Sequence, residues 1–246
     1  PPRSTLFPYT TLFRSGKFVA GNDFNYVQAH ATSIAASGKY NISSCSSEVI
    51  ASGRVQMKNY QAVDLINGLE RHDGYTHAYF KSFTPALQNS IRQYASQGGR
   101  ILISGSYTGS DMQTEEEQAF LSDILKLSYE PTGSTVITRD INPEDSTVTE
   151  RDSIVYTSPN VKGLGLQFSY YNELNAQHYA ATHPEILNPV GNYAFTAMQY
   201  DTGTSAAVAY KSTTYRSFVM GFPLECIIDE RTRTSVLLGI LKFLTD

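Results

Sequence analysis

The run from Thr84 to Ser104 constrains this chain more than any other stretch. Thr84 suits a helix N-cap, and Pro85 suits the first turn, where its missing N–H needs no partner. Leu87, Ile91, Tyr94 and Ala95 recur on one face. Gly98-Gly99 then ends the helix, because a left-handed residue costs glycine little. Ile101-Leu102-Ile103 follows at once, apolar at consecutive positions as in a strand buried on both faces. Thr114 with Glu117 has the spacing of a capping box and opens a helix carrying Phe120, Leu121, Ile124 and Leu125. Helix, doubly buried strand and second helix in succession predict a parallel sheet covered on both faces.

Other segments extend this pattern. Lys17–Ala20 and Val63–Ile66 read as strands, as does Tyr40–Ser44. Phe24, Val27, Ala31, Ile34 and Ala35 predict a helix over 24–36, closed by Gly38. After Pro131 the texture turns to short Thr-rich runs, Thr135–Thr138 and Ile154–Thr157. Ala206–Tyr210 and Tyr215–Met220 flank a turn at Lys211–Thr214, a hairpin pattern. A final helix runs from about Glu230 to Leu244. The expectation is one α/β domain over 16–246 with a β-rich excursion near 130–200; a split into two domains is the weaker reading.

The 246 residues carry a net charge of −4 and no Lys/Arg-rich face, which excludes an electrostatic nucleic-acid binder. No stretch approaches the roughly 20 apolar residues of a membrane-spanning helix. Thr5 to Ser15 (TLFPYTTLFRS) resembles the in-frame translation of a DNA-sequencing adapter, so residues 1–15 are set aside from fold reasoning. Losing Arg3 and Arg14 and no acid takes the charge to −6. The expectation is that the true N-terminus lies upstream of Gly16, so that the lack of a signal peptide says nothing about secretion.

Several motifs form a set: Ser43, Cys45 and Ser46, AVDLINGLE (Ala62–Glu70), GGRILISGSYTGSDM (Gly98–Met112), FLSDILKLSY (Phe120–Tyr129), YNELNA (Tyr171–Ala176) and GFPLE (Gly221–Glu225). Together they resemble the glutamine-amidotransferase-like domain of bacterial surface proteins of the "xanthan lyase" or golvesin-domain type. The resemblance implies a three-layer, flavodoxin-like fold around a parallel sheet. It also implies a larger secreted parent, whose other domains would be this one's partners.

The amidotransferase reaction needs a Cys on a strand-to-helix elbow, a His base and a Glu that orients it. Here the elbow reads Ser104-Gly105-Ser106-Tyr107, without Cys, and the later strand ends Gly221-Phe222-Pro223-Leu224-Glu225, without His. Glutamine hydrolysis by that route has no starting chemistry, and the chain is not a glutaminase. Ser106 could serve as nucleophile with His178 as base and Asp111 as orienter, but its loop misses the G-x-S-x-G elbow by one position. The plainer reading makes Ser104, Ser106 and Ser110 caps or partners for loop amides.

Other constellations are thinner. His72, Asp73 and His77 have a spacing off one helical face for metal binding. Glu115-Glu116-Glu117 complements a helix dipole. Gly105-x-x-x-Gly109 after a buried strand could cradle a phosphate, but no Lys or Arg lies between Arg100 and Lys126 to balance its charge. No metal and no cofactor are expected. Cys45 and Cys226, the only thiols, read as two buried free cysteines, with a single bridge open.

The leading expectation is a non-catalytic domain of a secreted, periplasmic or cell-surface protein, binding polysaccharide or cell-envelope material. A pocket would lie beyond the carboxyl ends of the strands. Ser104, Ser106, Tyr107, Asp111 and Glu225 would line it, and Glu173, Asn175 and His178 would close it over. Seventeen Tyr suit sugar stacking. The alternatives are a Ser-dependent hydrolase or polysaccharide-degrading enzyme, and a purely architectural spacer.

Overall fold

The structure is a computed structural model and describes residues 26–72, 81–173 and 179–246. In chain order the elements begin with α1 (Tyr26–Ala35), α2 (Ser47–Ala51), β1 (Val63–Gly68), α3 (Pro85–Ser96), β2 (Arg100–Gly105) and α4 (Glu115–Phe120). The strands β3 (Leu127–Glu130), β4 (Thr135–Ile141), β5 (Val148–Ile154), β6 (Asn160–Gly163), β7 (Leu166–Ser169) and β8 (Ile186–Pro189) follow. The chain ends with β9 (Ala194–Tyr200), β10 (Ser205–Lys211), β11 (Arg216–Met220) and α5 (Glu230–Thr245). The expected strand at Lys17–Ala20 lies outside the described residues, as does the adapter-like segment.

The helix ends form by the chemistry their sequences imply. Thr84 accepts a hydrogen bond from the Leu87 amide at the start of α3, and the Gly99 amide returns to the Tyr94 carbonyl at its end. At α4 the capping box is complete: Thr114 accepts from the Glu117 amide, and Glu117 accepts from the Thr114 amide. The expected helix through Leu125 changes character. After Phe120 the chain widens into a π-helical turn over Leu121–Leu125, ended by Lys126 in the left-handed region at φ 59°.

Seven strands form the main sheet, in the order β1-β2-β11-β10-β9-β6-β7. Only β1 with β2 and β2 with β11 pair in parallel; the four remaining pairings are antiparallel. This corrects the expectation of a three-layer, flavodoxin-like parallel sheet: the sheet is mixed. The physical reason is connection length. Parallel neighbours need a crossover of a dozen residues or more, and among the sheet's neighbouring pairs the sequence spells out one, β1-α3-β2. The strands after Asn160 are joined largely by short turns, such as those at Gly163–Leu166 and Lys211–Arg216, which can only reverse the chain.

Period-2 alternation divides the core. Ile101, Ile103, Val208, Tyr210 and Val219 face α3, α4 and the π-helical turn, burying Leu87, Ile91, Phe120, Leu121 and Leu125. Leu102, Ala207, Ala209, Phe218 and Met220 face α5, whose Val236, Leu237, Ile240 and Leu244 are buried against them. Truncating any of these large side chains to Ala would cost about 2–5 kcal/mol.

The β-rich stretch divides three ways. β6, β7 and β9 extend the main sheet, β3 pairs with β8, and β4 with β5 forms a separate antiparallel ribbon. Ile137, Val148 and Ile154 on that ribbon are more than half exposed. Residues 39–46, where Tyr40–Ser44 was expected as a strand, form no regular element, and Ile154–Thr157 holds only the last residue of β5. Ser43, Ser44 and Cys45 are exposed, and short hydroxyl side chains there compete with a ladder for the backbone.

Candidate functional site: a sealed elbow at the ends of β1 and β2

The candidate site begins where β2 leaves the sheet. A Cβ on Gly105 would come within 2.7 Å of the Asn67 Cβ, so only glycine lets β1 and β2 close here. The Ser106 amide donates to the Gly68 carbonyl at 2.8 Å, carrying the parallel pairing one step further. Tyr107 then turns with φ 62°, a left-handed conformation that costs a bulky residue about 1–2 kcal/mol. Gly109 packs against the Tyr129 side chain, leaving no room for a Cβ. In Gly105-Ser106-Tyr107-Thr108-Gly109 the strained centre that a G-x-S-x-G elbow gives its nucleophile is held by Tyr107. Ser106 is one position short of it.

Ser104 and Ser106 are fully buried, and among the described residues their hydroxyl oxygens have no hydrogen-bond partner. Tyr107 is enclosed by two neighbours: the Arg71 guanidinium carbon lies 4.6 Å from its ring centroid, and the His183 ring centroid 5.0 Å away. Burial pushes the Tyr107 phenol up to about 12, far from a nucleophile at neutral pH. Burial and the Arg71 charge hold His183 below its ordinary value, so its exposed imidazole is neutral at pH 7.

The amides that could have cradled a phosphate are occupied from within. The Glu185 carboxylate accepts the Gly109 amide at 2.7 Å, the Ser110 amide at 3.0 Å and the Ser110 hydroxyl. Burial pushes this carboxyl up, and the three hydrogen bonds oppose the shift. Asp111 is equally committed: its two oxygens accept the Ser82 amide at 2.8 Å and the His72 amide at 3.1 Å. It therefore ties His72 to Ser82, and both its oxygens are engaged by backbone amides. Glu117, beyond its capping role, forms an ion pair with Lys81. Glu70, half-buried at the end of β1, is pushed up to about 7 by burial, with Glu48 and Asp111 adding repulsion.

A second polar constellation escaped the sequence reading. His30 of α1 is buried between two carboxylates, with Nδ1 2.7 Å from Asp64 Oδ2 and Nε2 3.2 Å from Glu225 Oε2. The Tyr179 hydroxyl donates to the other oxygen of Glu225. Burial opposes the charge on His30, but the two carboxylates outweigh it and raise its pKa to about 10. Both ring nitrogens thus donate, and neither is left to act as a base. Glu225 is held below the usual carboxylate range by His30 despite complete burial. The signal was Asp64: a charge inside the Val63–Ile66 strand demands a partner, and His30 on the preceding helix meets it.

The expected lining residues therefore separate. Ser104, Ser106, Tyr107 and Asp111 converge at the elbow, but Glu225 belongs to the buried His30 network. Glu173 is exposed, and Asn175 and His178 lie outside the described residues, as do Asp73 and His77. Cys45 is exposed, contrary to expectation, and Cys226 is buried; neither forms a disulfide. Among the described residues no group of three His, Cys, Asp or Glu side chains is placed to hold a metal ion, and no helix is long and apolar enough to cross a membrane.

Fold and site together define a mixed α/β domain with a left-handed tyrosine at the elbow after β2. No family model matches the chain, and no curated protein matches it. Two solved structures are similar in part. One is a polyextremophilic β-galactosidase from the Antarctic haloarchaeon Halorubrum lacusprofundi, with TM-score 0.43 and 14% identity over 78% of this chain and 23% of that one. The other is the exo-β-1,4-mannosidase Op5Man5 from Opitutaceae bacterium strain TAV5, with TM-score 0.35 and 12% identity over 66% of this chain and 24% of that one. The chain spans less than a quarter of either, and likeness at this level carries no argument about activity.

Proposed function

We infer that this is a non-catalytic binding domain of a larger protein that handles polysaccharide or cell-envelope material. The occupancy of the elbow carries the reading: Tyr107 holds the strained apex, and Ser104 and Ser106 are sealed beneath it. A hydroxyl nucleophile needs both access to substrate and a base within hydrogen-bond reach. His30, buried on α1, has both nitrogens committed to carboxylates. What faces outward beside the elbow is a guanidinium and an imidazole ring, groups suited to holding a ligand. The polysaccharide class is taken from the motif resemblance to secreted surface proteins, extended to function and not to fold.

The test pairs two assays on the full chain. Ser106→Ala should leave hydrolysis of an activated ester at the background rate of the wild type, and affinity electrophoresis against a polysaccharide panel should show retarded migration. Ester turnover that Ser106→Ala abolishes, with the fold retained, would overturn the reading.

Glu70 favours a second reading, a polysaccharide-degrading enzyme. A half-buried carboxyl raised to about 7 by burial, with Glu48 and Asp111 adding repulsion, has the protonation behaviour of a general acid near neutral pH. Reducing-end release from a bound polysaccharide, lost in Glu70→Gln, would select this reading over the first.

A further inference from the structure

We propose that Arg71 is the anion-recognising group of a saccharide site at the carboxyl ends of β1 and β2, selecting sugars that bear a carboxylate. The proposal rests on the binding reading above and gives it a ligand class. Arg71 follows β1 by three residues, and its guanidinium lies over the Tyr107 ring, 4.6 Å from the centroid. That ring is fixed by the elbow and flanked by His183, so Arg71 rests on a rigid support.

Among the described residues Arg71 has neither a carboxylate partner nor a hydrogen bond, and its Nε is out of solvent with no acceptor. Three other half-buried arginines, two of them with an Nε that likewise lacks an acceptor, donate from the end of the fork. Arg100 donates to the Gly98 and Gly99 carbonyls, Arg216 to the Phe243 carbonyl and Arg233 to the Ile227 carbonyl. A buried donor without an acceptor is costly, and a flat guanidinium fork is satisfied best by a carboxylate taking two parallel N–H groups. Lys81, the nearby cation that could compete, is neutralised by Glu117. The loop amides of Gly109 and Ser110 are closed by Glu185, so Arg71 is left as the anion-binding group. Exposed His183 adds a flat ring edge beside it for the apolar face of a sugar. The ring of Tyr107 is itself buried and serves as support.

Titration calorimetry on the full chain tests this with polygalacturonate and alginate as carboxylated probes, dextran as the neutral one and inorganic phosphate as a bare anion. Wild type should bind the carboxylated polymers at least tenfold more tightly than dextran. Arg71→Ala should lose at least tenfold on those polymers, and Arg71→Lys, which keeps the charge without the fork, should fall between. Arg71→Gln provides a neutral variant of similar volume should the Ala variant unfold. Unchanged affinity in a folded Arg71→Ala or Arg71→Gln overturns the proposal, as does phosphate binding as tight as the polymers'. Equal binding of dextran overturns the carboxylate selectivity while leaving the binding reading standing. Absence of binding to every saccharide overturns both.

Discussion

One carboxylate, that of Glu185, holds the backbone amides of both Gly109 and Ser110, at 2.7 and 3.0 Å. The residues are far apart in sequence, so this contact ties the elbow loop to the segment leading into β8. Replacing Glu185 with Ala leaves two amides and a hydroxyl unsatisfied in a buried place, which should cost about 2–4 kcal/mol. Glu185→Gln, which keeps one acceptor oxygen, should cost less. Urea denaturation of the two variants checks the order.

His30 sets the pH profile of stability. Its pKa is about 10 in the folded state against about 6.5 unfolded, so the folded state holds the proton more tightly. The stabilisation is therefore complete below about pH 6.5 and declines as pH rises towards 10. Glu225 acts in the opposite sense: its pKa is lowered on folding, so its contribution is present above its ordinary value and lost in acid. Wild type should show a fall in unfolding free energy between pH 6.5 and 10, and His30→Gln should flatten it. His30→Ala should cost about 3–5 kcal/mol at pH 7, because two buried carboxylates lose their cation.

Tyr107 reverses a familiar ranking. Glycine in regular structure is usually less stable than alanine, but at φ 62° the alanine Cβ is strained. Tyr107→Gly should therefore be more stable than Tyr107→Ala by about 1 kcal/mol. Thermal melts compare them directly, and Ala exceeding Gly would contradict the left-handed elbow.

The cysteines differ in reach. Cys45 is exposed, while Cys226 is buried and its thiol, pushed up by burial, donates weakly to the Tyr179 carbonyl. A thiol-reactive dye should label about one cysteine per native chain and two after denaturation.

Local chemistry was well written in the sequence. Thr84, Pro85 and Gly98-Gly99 bounded α3, Thr114 with Glu117 capped α4, and the hairpin at Lys211–Thr214 formed between β10 and β11. Pairing direction was not legible beyond Ile101–Ile103, because a doubly buried strand has the same apolar run whether its next neighbour is parallel or antiparallel. Among site residues, Ser104, Ser106, Tyr107 and Asp111 were placed together by their closeness in sequence. Glu225 and His30 were not joined, because their pairing depends on how α1 packs beside the turn after β11, a relation that no local spacing encodes.

The pinning of His72 and Ser82 by Asp111 has an engineering consequence. One carboxylate holds two amides ten positions apart, so a substitution at Asp111 releases the exit from β1 and the approach to α3 together. Sequence changes meant to tune the elbow should therefore leave Asp111 in place, because it is a rivet shared by two stretches of backbone.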